Sequence, residues 1–162
     1  MPVDTAKAKR RPVRYTSLDE MLADAERIAD AERAGRLTHT GNWTAGQSFG
    51  HLAGWTDAAY DGYPPGMPSP PWIIRTMLRL MKSRFLHKGM PVGMKIRGVE
   101  GGTKFIEPLP LDEGLARLRR TIARLRTTQP THGNPIFGTM SREECELMLL
   151  RHAEIHLSFL FP

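Results

Sequence analysis

Ser141-Arg-Glu-Glu-Cys145-Glu-Leu-Met-Leu-Leu150-Arg-His152-Ala-Glu-Ile-His156-Leu-Ser-Phe-Leu-Phe161 carries the signature of a helix that faces inward. Ser141 and Glu144 stand at capping-box spacing. Cys145, Met148, Leu149, His152, His156 and Phe159 then fall on one stripe at intervals of three and four, which predicts a helix from Ser141 to about Phe161. His152 and His156 are one turn apart, so both imidazoles project from the same face. At that spacing they can hold one metal ion between them, whereas unpartnered they would leave polar nitrogens in an apolar setting at a cost in free energy. The order His152-Ala153-Glu154-Ile155-His156 excludes the zinc-protease helix, which needs its glutamate directly after the first histidine. Glu154 lies about 200° around the helix and points away from the pair. It is expected to pair with Arg151, three residues back, on the outer face.

Upstream, four further segments read as helices and none as a long strand. Leu18 to Ala34 opens with the Ser17/Glu20 capping pair, buries Leu18, Met21, Leu22, Ala25, Ile28 and Ala29, and stops at Gly35. A second helix starts at Thr44, with Gln47 three residues on and Trp43 before the cap. It ends near Tyr60, ahead of Pro64 and Pro65. The Pro/Gly stretch from Asp61 to Pro71 is a linker. A third helix, Pro71 to Leu86, offers Trp72, Ile73, Met77, Leu80, Met81 and Phe85 to the core, and residues 87 to 111 are Gly-rich and irregular. A fourth, Asp112 to Arg126, has the stripe Leu111, Leu115, Leu118, Ile122 and Leu125, with Arg117, Arg119, Arg120, Arg124 and Arg126 off it and facing solvent. Gly98 to Lys104 lacks the Gly-x-x-x-x-Gly-Lys-Ser/Thr order of a phosphate loop and follows no strand, so nucleotide binding is not expected there.

Two imidazoles do not make a catalytic site. His39 and His132 fall in loops and His87 at a helix end, which leaves His51 as the mid-helix histidine, flanked by Phe49, Leu52 and Trp55. Gly46, Gly50 and Gly54 recur every four residues on its helix. Each costs helix stability, and together they would admit a close neighbouring helix. Gln47, Ser48 and Trp55 are the candidates to support His51 by helical spacing, with core packing the favoured role for Trp55. Cys145 lies roughly 10 Å along the axis from His152, too far to share a metal, and reads as a small buried hydrophobe.

The bulk numbers set the frame. The chain has 162 residues, 40% hydrophobic and 25% charged, which suits one globular domain and excludes wholesale disorder. No apolar run approaches the ~18 residues that cross a bilayer. A single cysteine excludes an internal disulfide and fits a cytoplasmic location. Arg10-Arg11 is followed by no apolar stretch, so residues 1–14 are expected as a disordered basic arm ahead of one domain, 15–162. The net charge is +6, and no acidic residue stands between Asp61 and Glu100, where Arg75, Arg79, Lys82, Arg84, Lys88, Lys95 and Arg97 lie. That stretch is either a surface attracting an anionic ligand, nucleic acid or acidic membrane, or a solvated face balanced by acidic helices elsewhere.

His51 within Trp43-Thr-Ala-Gly46-Gln-Ser-Phe-Gly50-His51-Leu52, joined to the C-terminal His152 and His156, resembles the DinB/YfiT-like superfamily of metalloenzymes. The resemblance is closest to a bacterial branch known only as a domain of unknown function, whose members carry a segment like Asn134-Pro-Ile-Phe-Gly138 before the last helix. It implies an all-α fold, a four-helix bundle with a long crossover and here a Gly-rich insertion. It also implies frequent homodimers and a divalent metal on His51, His152 and His156. Some members of that superfamily are transferases or isomerases that use small thiols. Three imidazoles leave one or two positions open, as in catalytic zinc sites. All-nitrogen ligation suits zinc or nickel, and iron or copper less well. The expected function is a metal-dependent hydrolase or thiol-dependent transferase acting on a small, anionic or thiol-bearing substrate, with neither nucleic acid nor membrane as partner. The rival expectation is a non-catalytic helical protein that contacts nucleic acid or an acidic partner through its basic faces; a purely structural metal is a third.

Overall fold

The computed structural model describes residues 3–67, 70–93, 95–96 and 98–162. In chain order the elements are α1 (Leu18–Arg33), β1 (Thr38–His39), α2 (Ala45–Asp61), α3 (Trp72–Leu80), α4 (Lys82–Lys88), a 3-10 turn (Glu100–Gly102), α5 (Leu111–Thr127), α6 (Arg142–Leu157) and β2 (Leu160–Phe161). Among the described residues the protein is thus mostly helical, with six α-helices and one two-stranded sheet.

The helix starts follow their caps. Ser17, Thr44 and Ser141 each accept a hydrogen bond from the backbone N–H three residues on. The capping box closes only at Ser141, where the Glu144 carboxylate also accepts from the Ser141 N–H. At the other two ends the third residue reaches elsewhere: Glu20 takes both donors of Thr16, and the Gln47 amide donates to the Ile106 carbonyl at 2.8 Å. Met21, Ala25 and Ile28 of α1, Phe49 and Leu52 of α2, the Leu115–Leu118–Ile122–Leu125 stripe of α5, and Leu149, Ala153 and Leu157 of α6 meet in one core. Burying each of the larger of these side chains is worth roughly 1.5–3 kcal/mol.

α6 is enclosed far more than an amphipathic helix. From Glu144 to Phe161 no residue is exposed, because the N-terminal segment covers the helix in addition to the helices packed on it. Residues 3–14, expected as a disordered arm, lie against the body instead. The Arg11 N–H donates to the Ser158 carbonyl at 2.7 Å, and its guanidinium binds Asp24 at 2.8 Å and the Leu157 carbonyl at 3.1 Å. Arg14 and the Tyr15 N–H hold Glu154 at 3.1 and 2.9 Å. The Arg151–Glu154 pair forms as expected, at 2.9 Å, but under this segment and not on an open face. The physical reason is that Asp24 is a buried anion and Glu154 a largely enclosed one, and both need cations and donors that the arm supplies. Burial tends to raise the Asp24 pKa, yet hydrogen bonds from Arg11 and Tyr15 outweigh it and hold the carboxyl below its ordinary range.

Two helix boundaries differ from expectation. α6 stops at Leu157, and the chain then turns so that His39 and Thr38 pair antiparallel with Leu160 and Phe161. The single helix predicted over Pro71 to Leu86 is broken at Met81, whose φ −86° and ψ 0° open the turn between α3 and α4. α4 docks through buried Leu86, through Phe85 against Phe137, and through Lys82 on Glu144 at 2.6 Å. α3 does not follow it inward: Trp72, Ile73, Met77 and Leu80, expected in the core, are exposed.

Phe137 reaches α4 from a tight turn. The Asn134 side chain accepts from the N–H groups of Ile136 and Phe137 at 2.9 and 3.1 Å. Asn134 and Gly138 exchange backbone bonds at 2.8 Å. Of the seven basic residues between Asp61 and Glu100, Arg97 lies outside the described residues.

Candidate metal centre

The three histidines singled out by spacing come together. The His152 Nε2 is 3.2 Å from the His51 Nε2 and 3.0 Å from the His156 Nε2, and all three ring nitrogens lie within 4.8 Å of one another. His152 and His156 extend from one face of α6, as a four-residue interval requires, and His51 meets them from α2. His51 is buried, and the other two are half-buried. The Trp43 ring stacks on His156 with centroids 4.8 Å apart and planes 9° apart, and touches His51 at 4.7 Å, so it walls the cluster on one side.

What aims His51 is the segment that precedes α5. The Phe105 carbonyl lies 3.2 Å from His51 Nδ1. A carbonyl only accepts, so Nδ1 carries the proton and Nε2 is left with its lone pair facing the other imidazoles. Phe105 holds φ +57°, the one left-handed non-glycine residue among those described, a conformation that needs support from its surroundings. That support comes from α2. Gln47 binds the next carbonyl, Ile106. Trp55 packs edge-on against the Phe105 ring at 5.5 Å and donates to Thr103 at 3.3 Å. The face cleared by Gly54, Gly50 and Gly46 lets residues 105–110 lie directly on the helix: a Cβ at Gly54 would sit 2.7 Å from Phe105, and one at Gly46 2.4 Å from the Leu109 carbonyl. The three glycines thus admit an extended segment as well as a helix. α5 itself makes its closest approach at Gly114, whose Cβ would be 2.3 Å from the Gly46 carbonyl.

The electrostatics favour neutral rings. Burial pushes the His51 pKa down to about 4, against the raising effect of the Phe105 and Lys104 carbonyls. Burial, then charge on the neighbouring imidazoles, lowers His152 and His156 well below the ordinary histidine range. Neutral imidazoles arranged this way cannot satisfy one another. If His152 Nε2 carries a proton it can donate to His51 but meets His156 without a lone pair; if it carries none it can accept from His156 but faces the His51 lone pair. One contact of the two is therefore always unmet, at a desolvation cost typical of buried polar groups. A cation between the nitrogens removes the conflict. Two imidazole nitrogens about 2.0–2.1 Å from a tetrahedral metal are about 3.3 Å apart, close to the two separations found here. The donor set fits a divalent transition ion.

Other sequence candidates lie apart from this centre. His39 contacts the Gly41 carbonyl, His132 the Thr131 hydroxyl, and His87 stands exposed near the end of α4. Ser48 bonds the Thr44 carbonyl inside its own helix and plays no part in holding His51. Cys145 is buried, and burial raises its thiol to about 11. The spacing argument missed Phe105 and Trp43. Trp43 precedes a helix cap, where a ring can fold back over the first turns, whereas nothing in the sequence around Phe105 marks a left-handed residue.

The chain belongs to a family described as protein of unknown function (DUF1569), whose model matches residues 7–162. Neither the curated proteins nor the solved structures contain a match to it. No helix among the described residues is long and apolar enough to cross a membrane.

Proposed function

We propose that this protein is a metal-dependent enzyme of the DinB/YfiT-like kind, a four-helix bundle with a long crossover that carries zinc or nickel on His51, His152 and His156. The observation that carries the reading is the convergence of three ring nitrogens, with His51 fixed by the Phe105 carbonyl so that its free nitrogen faces the pair. Ligand imidazoles in catalytic sites are oriented by such a partner on the far nitrogen. Three neutral nitrogen donors leave at least one position for water or substrate. A metal so held supplies Lewis acidity and a water or thiol that ionises near neutral pH. The protein's part is to keep the imidazoles neutral by burial, to fix their rings with Phe105 and Trp43, and to hold a small anionic or thiol-bearing substrate for hydrolysis or group transfer.

The rival reading, a nucleic-acid-binding helical protein, is weakened by how the arginines of α5 are used. Arg117, Arg119, Arg124 and Arg126 pair with Asp57, Glu26, Asp61 and Asp19 of α1 and α2. That face is internally neutralised and offers little surplus charge to a phosphate backbone.

The experiment is cobalt(II) substitution followed by titration with azide and with a small thiol. An open position accessible to substrate predicts a change in the visible cobalt bands with each ligand. It also predicts loss of the bands in His51→Ala. Cobalt bands that no added ligand alters would mean a closed, structural site and would end the enzyme reading.

A further inference from the structure

α3 carries the most exposed apolar side chains of the described protein. Trp72 is 70% exposed, Leu80 82%, Ile73 62% and Met77 51%. At 100° per residue, Trp72, Leu80, Ile73 and Met77 occupy one arc of about 140°, so the apolar groups form a continuous stripe and not scattered points. Arg75 and Arg79 flank the stripe at its Trp72 edge, and Lys82, Arg84 and Lys88 follow on α4. No acidic residue occurs from Gly62 to Val99, and of the α4 cations Lys82 is paired with Glu144 of α6 at 2.6 Å. Isolated apolar residues on a surface need no account, but a tryptophan-edged stripe beside a run of basic residues does.

We propose that α3, with the basic residues of α4, is an interfacial anchor that seats the protein on an anionic lipid surface. Three observations select this occupant. The helix has an apolar face with tryptophan at one end and arginines alongside, the composition of helices that lie in the headgroup plane. It is nine residues, about 13 Å, long, and a helix about 10 Å wide offers far less than the ~800 Å² per partner of a stable protein interface. Self-association through it would bring Arg79 and Arg84 towards their own copies with no acidic residue of this segment between, whereas an anionic bilayer complements them. The anchor is independent of the metal centre, and either can fail without the other.

The test is co-sedimentation of the full chain with phosphatidylcholine vesicles, with and without phosphatidylglycerol, at low and high salt. Binding is expected only to the anionic vesicles and is expected to weaken with salt. Tryptophan emission should shift to the blue on binding and cease to shift in Trp72→Phe, since Trp43 and Trp55 are half-buried and packed against the histidine cluster and Phe105. Leu80→Asp, at an exposed position that leaves the fold intact, should weaken partitioning by about tenfold or more, because each methylene withdrawn from the interface is worth about a fourfold factor. Arg79→Glu combined with Arg84→Glu should abolish the preference for anionic vesicles. Absence of binding to either vesicle, or equal binding by the Leu80→Asp variant, would overturn the proposal. So would a dimer in solution that Leu80→Asp dissociates, which would assign the stripe to a second copy.

Discussion

Alanine substituted at Gly46, Gly50 and Gly54 should give three different outcomes, although the three positions are equivalent by helical spacing. In an open helix each change would stabilise by about 0.8–1 kcal/mol through propensity alone. At Gly46 the new Cβ would meet the Leu109 carbonyl at 2.4 Å and the Pro110 carbonyl at 2.8 Å, backbone atoms that cannot rotate away. Overpacking costs of about 1–3 kcal/mol then apply at the upper end, leaving a net loss of about 2 kcal/mol. In a chain of this length that corresponds to a Tm about 4–8 °C lower. At Gly50 the obstacle is a methyl of Leu109 at 2.5 Å, which can swing aside, so stability should stay within about 1 kcal/mol of wild type. At Gly54 the Cβ would meet Cβ and Cγ of Phe105, both at 2.7 Å. Moving that Cβ moves the carbonyl that orients His51, so Gly54→Ala should cost metal affinity by about 10–100-fold beyond its effect on stability. Thermal melts followed by circular dichroism, with zinc titrations on each variant, measure both. A Gly46→Ala protein as stable as Gly50→Ala, or a Gly54→Ala protein with wild-type metal affinity, would refute the argument that residues 105–110 are pressed against α2.

Asp24→Ala should destabilise by about 3–5 kcal/mol, read from urea midpoints, because it strands the largely buried Arg11 guanidinium; a loss under about 1 kcal/mol would mean that the N-terminal segment is not docked through this pair. The same carboxyl sets a pH dependence: its folded pKa is held below the unfolded value, so its contribution is complete above the ordinary carboxylate range and fades as pH falls through that range and below. Asp24→Asn should therefore flatten the acid limb of the stability profile. Metal should be retained on mild acidification. Burial holds His51 near about 4, so protons compete weakly at pH 6, and affinity there should be within a few-fold of that at pH 7.5; release beginning near 6.5 would indicate solvent-exposed imidazoles.

The helices were legible because their signals are local. Hydroxyl caps at Ser17, Thr44 and Ser141 and the leucine stripe of α5 act over a turn or two, and the observed starts follow them. The histidine pair was legible for the same reason, and His51 by its apolar flanks. What the sequence concealed depends on distant partners. Nothing near Arg11 shows that Asp24, thirteen residues away, will order it. The apolar periodicity of Trp72 to Leu80 is real, but periodicity marks an apolar face without naming what covers it, and here no element among the described residues does. Glu154 has its expected Arg151 partner, yet its burial follows from Arg14 and Tyr15, more than a hundred residues upstream. The Phe105 contact to His51 needs a left-handed backbone, a local state that tertiary packing imposes.

Whether His51, His152 and His156 hold a metal is decided most directly by thermal melts of wild type and His156→Ala, each with and without added zinc or nickel. A ligand that binds only the folded state at about a hundred times its Kd contributes about 2.7 kcal/mol. That predicts a rise of about 5–10 °C in the wild-type Tm. The core of α1, α2, α5 and α6 is built of apolar stripes, so both proteins should fold without metal, and His156→Ala should keep its helical content while gaining little or nothing from the ion. A wild type that no divalent metal stabilises, or a His156→Ala variant stabilised as much as wild type, would contradict the metal centre.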